Sequence, residues 1–295
     1  MDYCVLSISD FEFLKKKVNE VFNTVQEGDI HGWDHACRVW KHIIFALKFC
    51  PDHFFEYDHL SIPIIKESLE LAGLLHDIDD EKIFKKHNIH DNVLYPNAIS
   101  LLEEMKKPKE QINLIIQLID LVSFSKNGIR EVPYRWMAIP RDADRLEALG
   151  SIGVIRCLCY GCHVDRPIYN QNTPRLTSEN AIWIEAIRQY SSRLVNSSYS
   201  TKNKENLSTL EYFLVALIPR SVMASDLPYF LEEATIRINP IIHIIQTFGI
   251  QGYITEDYLD YLAQQDPSAW NIFQEFRPLV KPFLFKLSLK IIKNK

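Results

Sequence analysis

The chain has 295 residues, 47% hydrophobic and 24% charged, with a formal net charge of -5; at this length about three quarters of the extended surface is buried, which excludes disorder and fibrous architectures. Only 9 glycines and no strong internal repeat argue against sandwiches, barrels and propellers, all of which consume turns. The mild acidity argues against a nucleic-acid backbone as the main partner, which would call for a broad excess of Lys and Arg.

Apolar residues three and four apart recur through most of the chain and predict an all-α protein, with helices at about 9–26, 33–50, 61–77, 95–105, 109–123, 142–159 and 178–195. The stretch from Val195 to Asn206, rich in Ser, Asn and Lys, reads as an exposed loop. It separates an expected domain at 1–195 from a C-terminal helical extension at 207–295 that is expected to pack on it. The N-terminus lacks the pattern of a signal peptide and no apolar run approaches about 20 residues, so the expectation is a cytoplasmic protein with no membrane partner. The 6 cysteines then read as reduced thiols, since a disulfide framework belongs to small secreted chains. Gly150 and Gly153 satisfy neither the dinucleotide nor the P-loop spacing, so no phosphate-cradling loop is expected.

The first motif in chain order is His31-Gly32-Trp33-Asp34-His35-Ala36-Cys37-Arg38-Val39-Trp40. If one helix includes both His31 and His35, they share a face and can share a metal; Asp34 or Asp29 can cap its start. The second is the apolar helix Glu67 to Leu75 running into His76-Asp77, followed by the acidic turn Ile78-Asp79-Asp80-Glu81 and Lys82. Adjacent helical positions are about 100° apart, so His76 and Asp77 can hold one ion only in the wedge between them. The third is Arg141-Asp142-Ala143-Asp144-Arg145-Leu146-Glu147, where acids near a helix start also serve as plain caps and dipole complements. Each motif alone is read more simply as structural.

Taken in this order on predicted helices, the three motifs resemble the HD superfamily of metal-dependent phosphohydrolases. Finer detail is similar to a bacterial-type branch of uncharacterised HD hydrolases: His31-x-Trp33-x-His35-x-x-Arg38-Val39, then His76-Asp77-Ile78-x-Asp80-x-Lys82, then Asp142-Ala143-Asp144-Arg145-Leu146-x-Ala148-Leu149-Gly150. Ile152-Gly153-x-x-Arg156, Tyr160-Gly161 and Arg166-Pro167-x-Tyr169 extend it, so that it covers about residues 10 to 170.

The resemblance implies an HD-domain helical bundle with additional C-terminal helices, and one divalent ion (Mn, Mg, Fe, Co, Ni or Zn) held by His35, His76, Asp77 and Asp144. Asp142 is the reserve ligand, because the family's acid usually falls in an Ala-Asp-Arg/Lys-Leu setting. The implied activity is hydrolysis of a phosphate ester or anhydride in a nucleotide or another small phosphorylated metabolite. Two imidazoles and two carboxylates leave such an ion near neutral charge with positions open for water and phosphate. Asp80 could hold or deprotonate the attacking water, and Lys82, Arg38 and Arg145 could clamp phosphate oxygens. His31 could donate to the substrate or orient the site. The simpler alternatives are a solvated turn for Asp80 and Lys82 and an internal ion pair for Arg38 or Arg145.

The chain departs from that branch in two places. Val122-Ser123-Phe124 stands where the branch has His-Ser-Phe, and Glu211-Tyr212-Phe213-Leu214-Val215-Ala216-Leu217 stands where it has a His-Phe-Tyr-x-Lys-Leu-like helix. No additional histidines mark a second metal. Cys157, Cys159, Cys162 and His163 lack structural-zinc spacing and read as packed thiols. His42, seven residues after His35, lies on the same helical face and can approach the site; His53, His59, His87, His90 and His243 carry no motif. The acid-free tail from Phe276, with Arg277, Lys281, Lys286, Lys290, Lys293 and Lys295, reads as a terminal helix with one packed and one solvated face in preference to a membrane or nucleic-acid surface. The alternative to an enzyme is a catalytically silent nucleotide- or metal-binding regulatory module. A homodimer is compatible with either.

Overall fold

The computed structural model describes residues 4–23, 32–55, 60–80, 94–195 and 207–293, for 193–195 and 285–293 the backbone alone. Helices α1 (Ile8–Phe22), α2 (Trp33–Lys48), α3 (Ile62–Leu75), α4 (Pro96–Glu104) and α5 (Lys109–Val122) follow the predicted positions closely. After the short α6 (Phe124–Asn127) come α7 (Ile139–Glu147), α8 (Gly150–His163), α9 (Glu179–Val195), α10 (Thr209–Tyr212), α11 (Pro228–Arg237), α12 (Asn239–Gln251), α13 (Glu256–Ala263) and α14 (Pro267–Lys293). Among the described residues there is no strand, and no helix is long and apolar enough to cross a membrane.

One expected helix is corrected. The stretch predicted as continuous over 142–159 is two helices, because Leu149 is extended (φ -105°, ψ 179°) and Gly150 takes the left-handed φ of 72°. The break is tight: a Cβ on Gly153 would lie 2.2 Å from the carbonyl oxygen of Ala148. The periodicity runs through the break unchanged, which is why it is invisible in the apolar pattern.

The chain forms two compact units, Met1–Glu147 with Met223–Glu232, and Ala148–Val222 with Glu233–Lys295. This division falls elsewhere than the boundary expected from the sequence at 195–206. In the first unit α3 is the central helix, packed against α2, α5 and α7. From Ser68 to Leu75 every side chain is buried, so this half of α3 has no solvated stripe and the one acid in it, Glu70, needs partners. Glu70 finds them in the backbone N–H groups of Val5 (2.7 Å) and Leu6 (3.3 Å), the indole N–H of Trp40 (3.2 Å) and the Cys4 thiol (3.2 Å). Burial pushes the Glu70 carboxyl up despite these donors.

In the second unit α8 packs against α12, α13 and α14. Ser208 and Glu211 form a capping box that starts α10. Cys157, Cys159 and Cys162 are free thiols, and burial pushes Cys157 to about 11 and Cys162 to about 12, so they remain protonated and inert at neutral pH. The start of the basic tail is a packed helix: Phe273 and Val280 are buried, Arg277 pairs with Glu256 and Asp260, and Lys281 lies 3.5 Å from Glu256.

Candidate metal centre

Three helices of the first unit deliver the motif residues to one point. His35 lies in the first turn of α2, His76 is the residue that ends α3, Asp77 follows in the turn, and Asp144 sits in α7. The Nε2 atom of His35 is 3.6 Å from Oδ2 of Asp77 and 3.3 Å from Oδ1 of Asp144. The Nε2 atom of His76 is 3.3 Å and 3.6 Å from the same two oxygens. The ligand atoms of His35, His76 and Asp144 all lie within 4.8 Å of one another. Because α3 ends at Leu75, His76 and Asp77 leave the regular helix as it closes, and their side chains converge.

The electrostatics are those of a closely coupled cluster. Burial alone would lower the His76 imidazole, but the carboxylates of Asp77 and Asp144 outweigh it and raise its pKa well above the ordinary value. Burial would raise Asp144; its contacts with His35 and His76 outweigh that and hold it below the usual carboxylate range. The cluster thus demands a positive charge at its centre, from a proton or from an ion.

The donor set fits a divalent ion. His76 donates from Nδ1 to the carbonyl oxygen of Gly73 at 2.8 Å, while its Nε2 is buried and makes no hydrogen bond. A buried ring nitrogen facing two carboxylates with its other nitrogen already committed is arranged as a ligand. Two imidazole nitrogens with two carboxylate oxygens suit Mn, Fe, Co, Ni or Zn.

Around this point the other candidate residues divide. Asp142, the reserve ligand, is fully buried, and its carboxylate accepts from the backbone N–H of Ala224 (2.9 Å) and Ser225 (2.7 Å). It is a structural anchor for the 224–225 segment, and burial raises its pKa. Arg145, expected as a phosphate clamp, is 1% exposed; its guanidinium stacks over Phe124 and donates to the Gly128 carbonyl. This placement assigns Arg145 to the interior of the fold. Arg38 keeps a partly exposed side chain and donates from Nε to Glu147 at 2.5 Å. Asp80 is half-buried at the end of the turn, its backbone N–H bonded to the Asp77 carbonyl at 3.1 Å. Neighbouring Asp79 caps α4 by accepting from the backbone N–H groups of Asn97 and Ala98, which pins that turn. His31 and Lys82 lie outside the described residues. Helix α2 begins at Trp33 after Gly32, and the helical face expected to be shared by His31 and His35 involves a residue outside those described.

Glu147 has no role in the sequence motifs, yet it stands behind the cluster. It is buried, lies 4.0 Å from Nδ1 of His35, and accepts from Arg38 and from Nε2 of His42 (3.1 Å). His42 in turn meets the Tyr229 hydroxyl at 2.6 Å through Nδ1. His35, Arg38 and His42 occupy positions i, i+3 and i+7 of α2, a polar stripe on a buried face, and that is the signal from which an acid on the facing helix could have been sought. Burial would raise Glu147, but its partners His42 and Arg38 hold it well below the usual carboxylate range.

An all-α unit in which His, His-Asp and Asp side chains from three helices meet at one point is what the resemblance of the motifs to the HD superfamily implies. No family model matches the chain. It belongs to the same family as an uncharacterised protein, L803, of Acanthamoeba polyphaga mimivirus, to which it is 34% identical over 237 residues, 75% of this chain and 89% of that one. Among solved structures, a protein of Lactobacillus plantarum is similar in fold, with a TM-score of 0.53 at 19% identity over 84% of this chain and 98% of that one. An HD-superfamily hydrolase of Bacillus thuringiensis gives a TM-score of 0.49 at 20% identity over 81% of this chain and 96% of that one.

Proposed function

We propose that the protein is a divalent-metal-dependent phosphohydrolase acting on a nucleotide or another small phosphorylated metabolite. The observation that carries this reading is the convergence of His35 Nε2, His76 Nε2, Asp77 Oδ2 and Asp144 Oδ1, with the His76 nitrogen buried and otherwise without a hydrogen bond. A divalent ion held by these atoms would supply positive charge to a phosphoryl oxygen and acidity to a water molecule.

The chain's own residues would do the rest. Asp77 and Asp144 offset the ion's charge, so that an anionic substrate is drawn without being trapped. Asp80, in the pinned turn beside Asp77, accepts the proton of the attacking water. Arg38, from its partly exposed position, and Lys82 meet the substrate's phosphate oxygens, while His31 donates to it.

The test is a phosphate-release screen over nucleoside mono-, di- and triphosphates with Mn, Mg, Co and Ni. Turnover that disappears in the double variant His76→Ala, Asp77→Ala is the expected result, and turnover that survives it would sink the mechanism. A metal-loaded protein that turns over nothing would instead be a binding module.

A further inference from the structure

We propose that the second unit carries an oxyanion site of its own, in which the guanidinium of Arg166 and the hydroxyl of Thr209 receive the phosphate group of a small phosphorylated molecule. The site needs no metal ion and does not rest on the centre proposed above.

Arg166 follows the end of α8, and its backbone N–H returns to the carbonyl oxygen of Gly161 at 2.7 Å. The next two residues are stitched to the start of α10: Thr209 and Leu210 donate their N–H groups to the carbonyls of Pro167 and Ile168, at 2.8 and 3.0 Å. The guanidinium carbon of Arg166 lies 4.7 Å from the centre of the Tyr212 ring and 5.9 Å from that of Tyr160. Rings engage the faces of the planar cation and leave its N–H edge for an acceptor. On that edge Nη1 is buried and makes no hydrogen bond, and no carboxylate among the described residues pairs with the side chain.

Thr209 presents the second unmet group, since the residue is fully buried and its hydroxyl makes no hydrogen bond. A Cβ on Gly161 would lie 2.6 Å from that hydroxyl oxygen and 3.8 Å from Cβ and Cδ of Arg166. The hydroxyl and the arginine stem therefore share the space that the glycine leaves open. Buried polar groups are nearly always satisfied, and two unmet donors in one place call for a common acceptor. Arg156 and Arg220 set the sign of that acceptor. With Arg166 they are the charged groups that act on the Cys157 thiol, three residues before Tyr160, where burial pushes the pKa up to about 11 and the arginines oppose it. A phosphate accepts from the fork of one guanidinium and keeps oxygens free for a hydroxyl. Tyr160 is 43% exposed and Arg166 partly so, which leaves the site open to a ligand from solvent.

The experiment titrates the full-length protein, freed of metal by chelation, with inorganic phosphate and separately with adenosine monophosphate, by calorimetry. Wild type is expected to bind phosphate at one site. Arg166→Gln should weaken binding about 10-fold or more, the loss of charge-assisted bonds, and Thr209→Val, which keeps the shape of the side chain, about 3-fold. Phosphate should raise the melting temperature of wild type and leave that of Arg166→Gln unmoved. Equal affinity for the two ligands would make the phosphate group the whole of what is recognised, and tighter binding of the monophosphate would identify a nucleotide. Should Arg166→Gln fail to fold, Thr209→Val decides alone. A wild type that binds neither ligand, or variants that bind phosphate as tightly as wild type, would overturn the site.

Discussion

His76 donates its Nδ1 hydrogen to the carbonyl oxygen of Gly73, in the last turn of the helix that carries it, at 2.8 Å. The bond leaves the lone pair of Nε2 facing Asp77 and Asp144. Mn2+ at about 100 times its Kd should accordingly stabilise the protein by about 2.7 kcal/mol, since an ion that binds only the folded state shifts unfolding by mass action. Thermal melts with Mn2+ and after chelation check this, and Asp144→Asn should abolish the shift. An equal shift in that variant would remove Asp144 from the ligand set.

Asp142 gives the opposite pattern. Asp142→Ala leaves the part-buried N–H of Ala224 and the buried N–H of Ser225 without their acceptor, and each such loss costs about 1–3 kcal/mol. Urea unfolding should show a loss of at least about 2 kcal/mol, while Mn2+ binding stoichiometry is retained. A variant as stable as wild type would mean that the anchor contributes nothing.

Glu70 predicts a pH dependence. Its pKa is raised in the folded state above the ordinary value of 4.5 by burial, so between those two values the folded protein holds a proton that the unfolded chain has released. Its contribution to stability is therefore fully present below pH 4.5 and falls as pH rises through the folded value. Relative to Glu70→Gln, wild type should lose stability as pH is raised from 4.5 toward neutrality. Parallel stability curves for the two proteins would contradict the shift.

At the α7–α8 break, Gly153→Ala would drive a methyl group into the backbone carbonyl of Ala148, which cannot swing aside as a side chain can. Overpacking of this kind costs about 1–3 kcal/mol. Chemical denaturation measures it directly, and a neutral substitution would show that the two helices separate easily.

Much of the cluster was legible in the sequence because His35, His76, Asp77 and Asp144 sit in motifs whose chemistry is local. What escaped was non-local. Asp142 and Asp144 are both acids near the start of a helix, and only the family's Ala-Asp-Arg/Lys-Leu setting favours Asp144; what occupies Asp142 is a contact 83 residues away. Glu147 carries no role in the third motif and is marked only by the polar stripe of α2 that faces it, and Tyr229 lies 187 residues from His42 with no local mark at all. Arg145 shows the converse error, a residue whose motif position suggested substrate while packing over Phe124 turned it inward. The apolar period likewise ran straight through Leu149, because periodicity reports a buried face and not the φ of a single glycine.

The bonds from Ala224 and Ser225 to Asp142 bear on synthesis. The four proposed ligands lie within the first 144 residues, and a ribosome has released them before the segment Met223–Glu232 of the same unit exists. During elongation the Asp142 carboxylate has no amide to meet, and Glu147 has no tyrosine at the far end of its chain, until residues 224–229 leave the exit tunnel. A nascent chain should therefore pass through a stage in which the four residues of the cluster are made while the anchor of Asp142 is still missing.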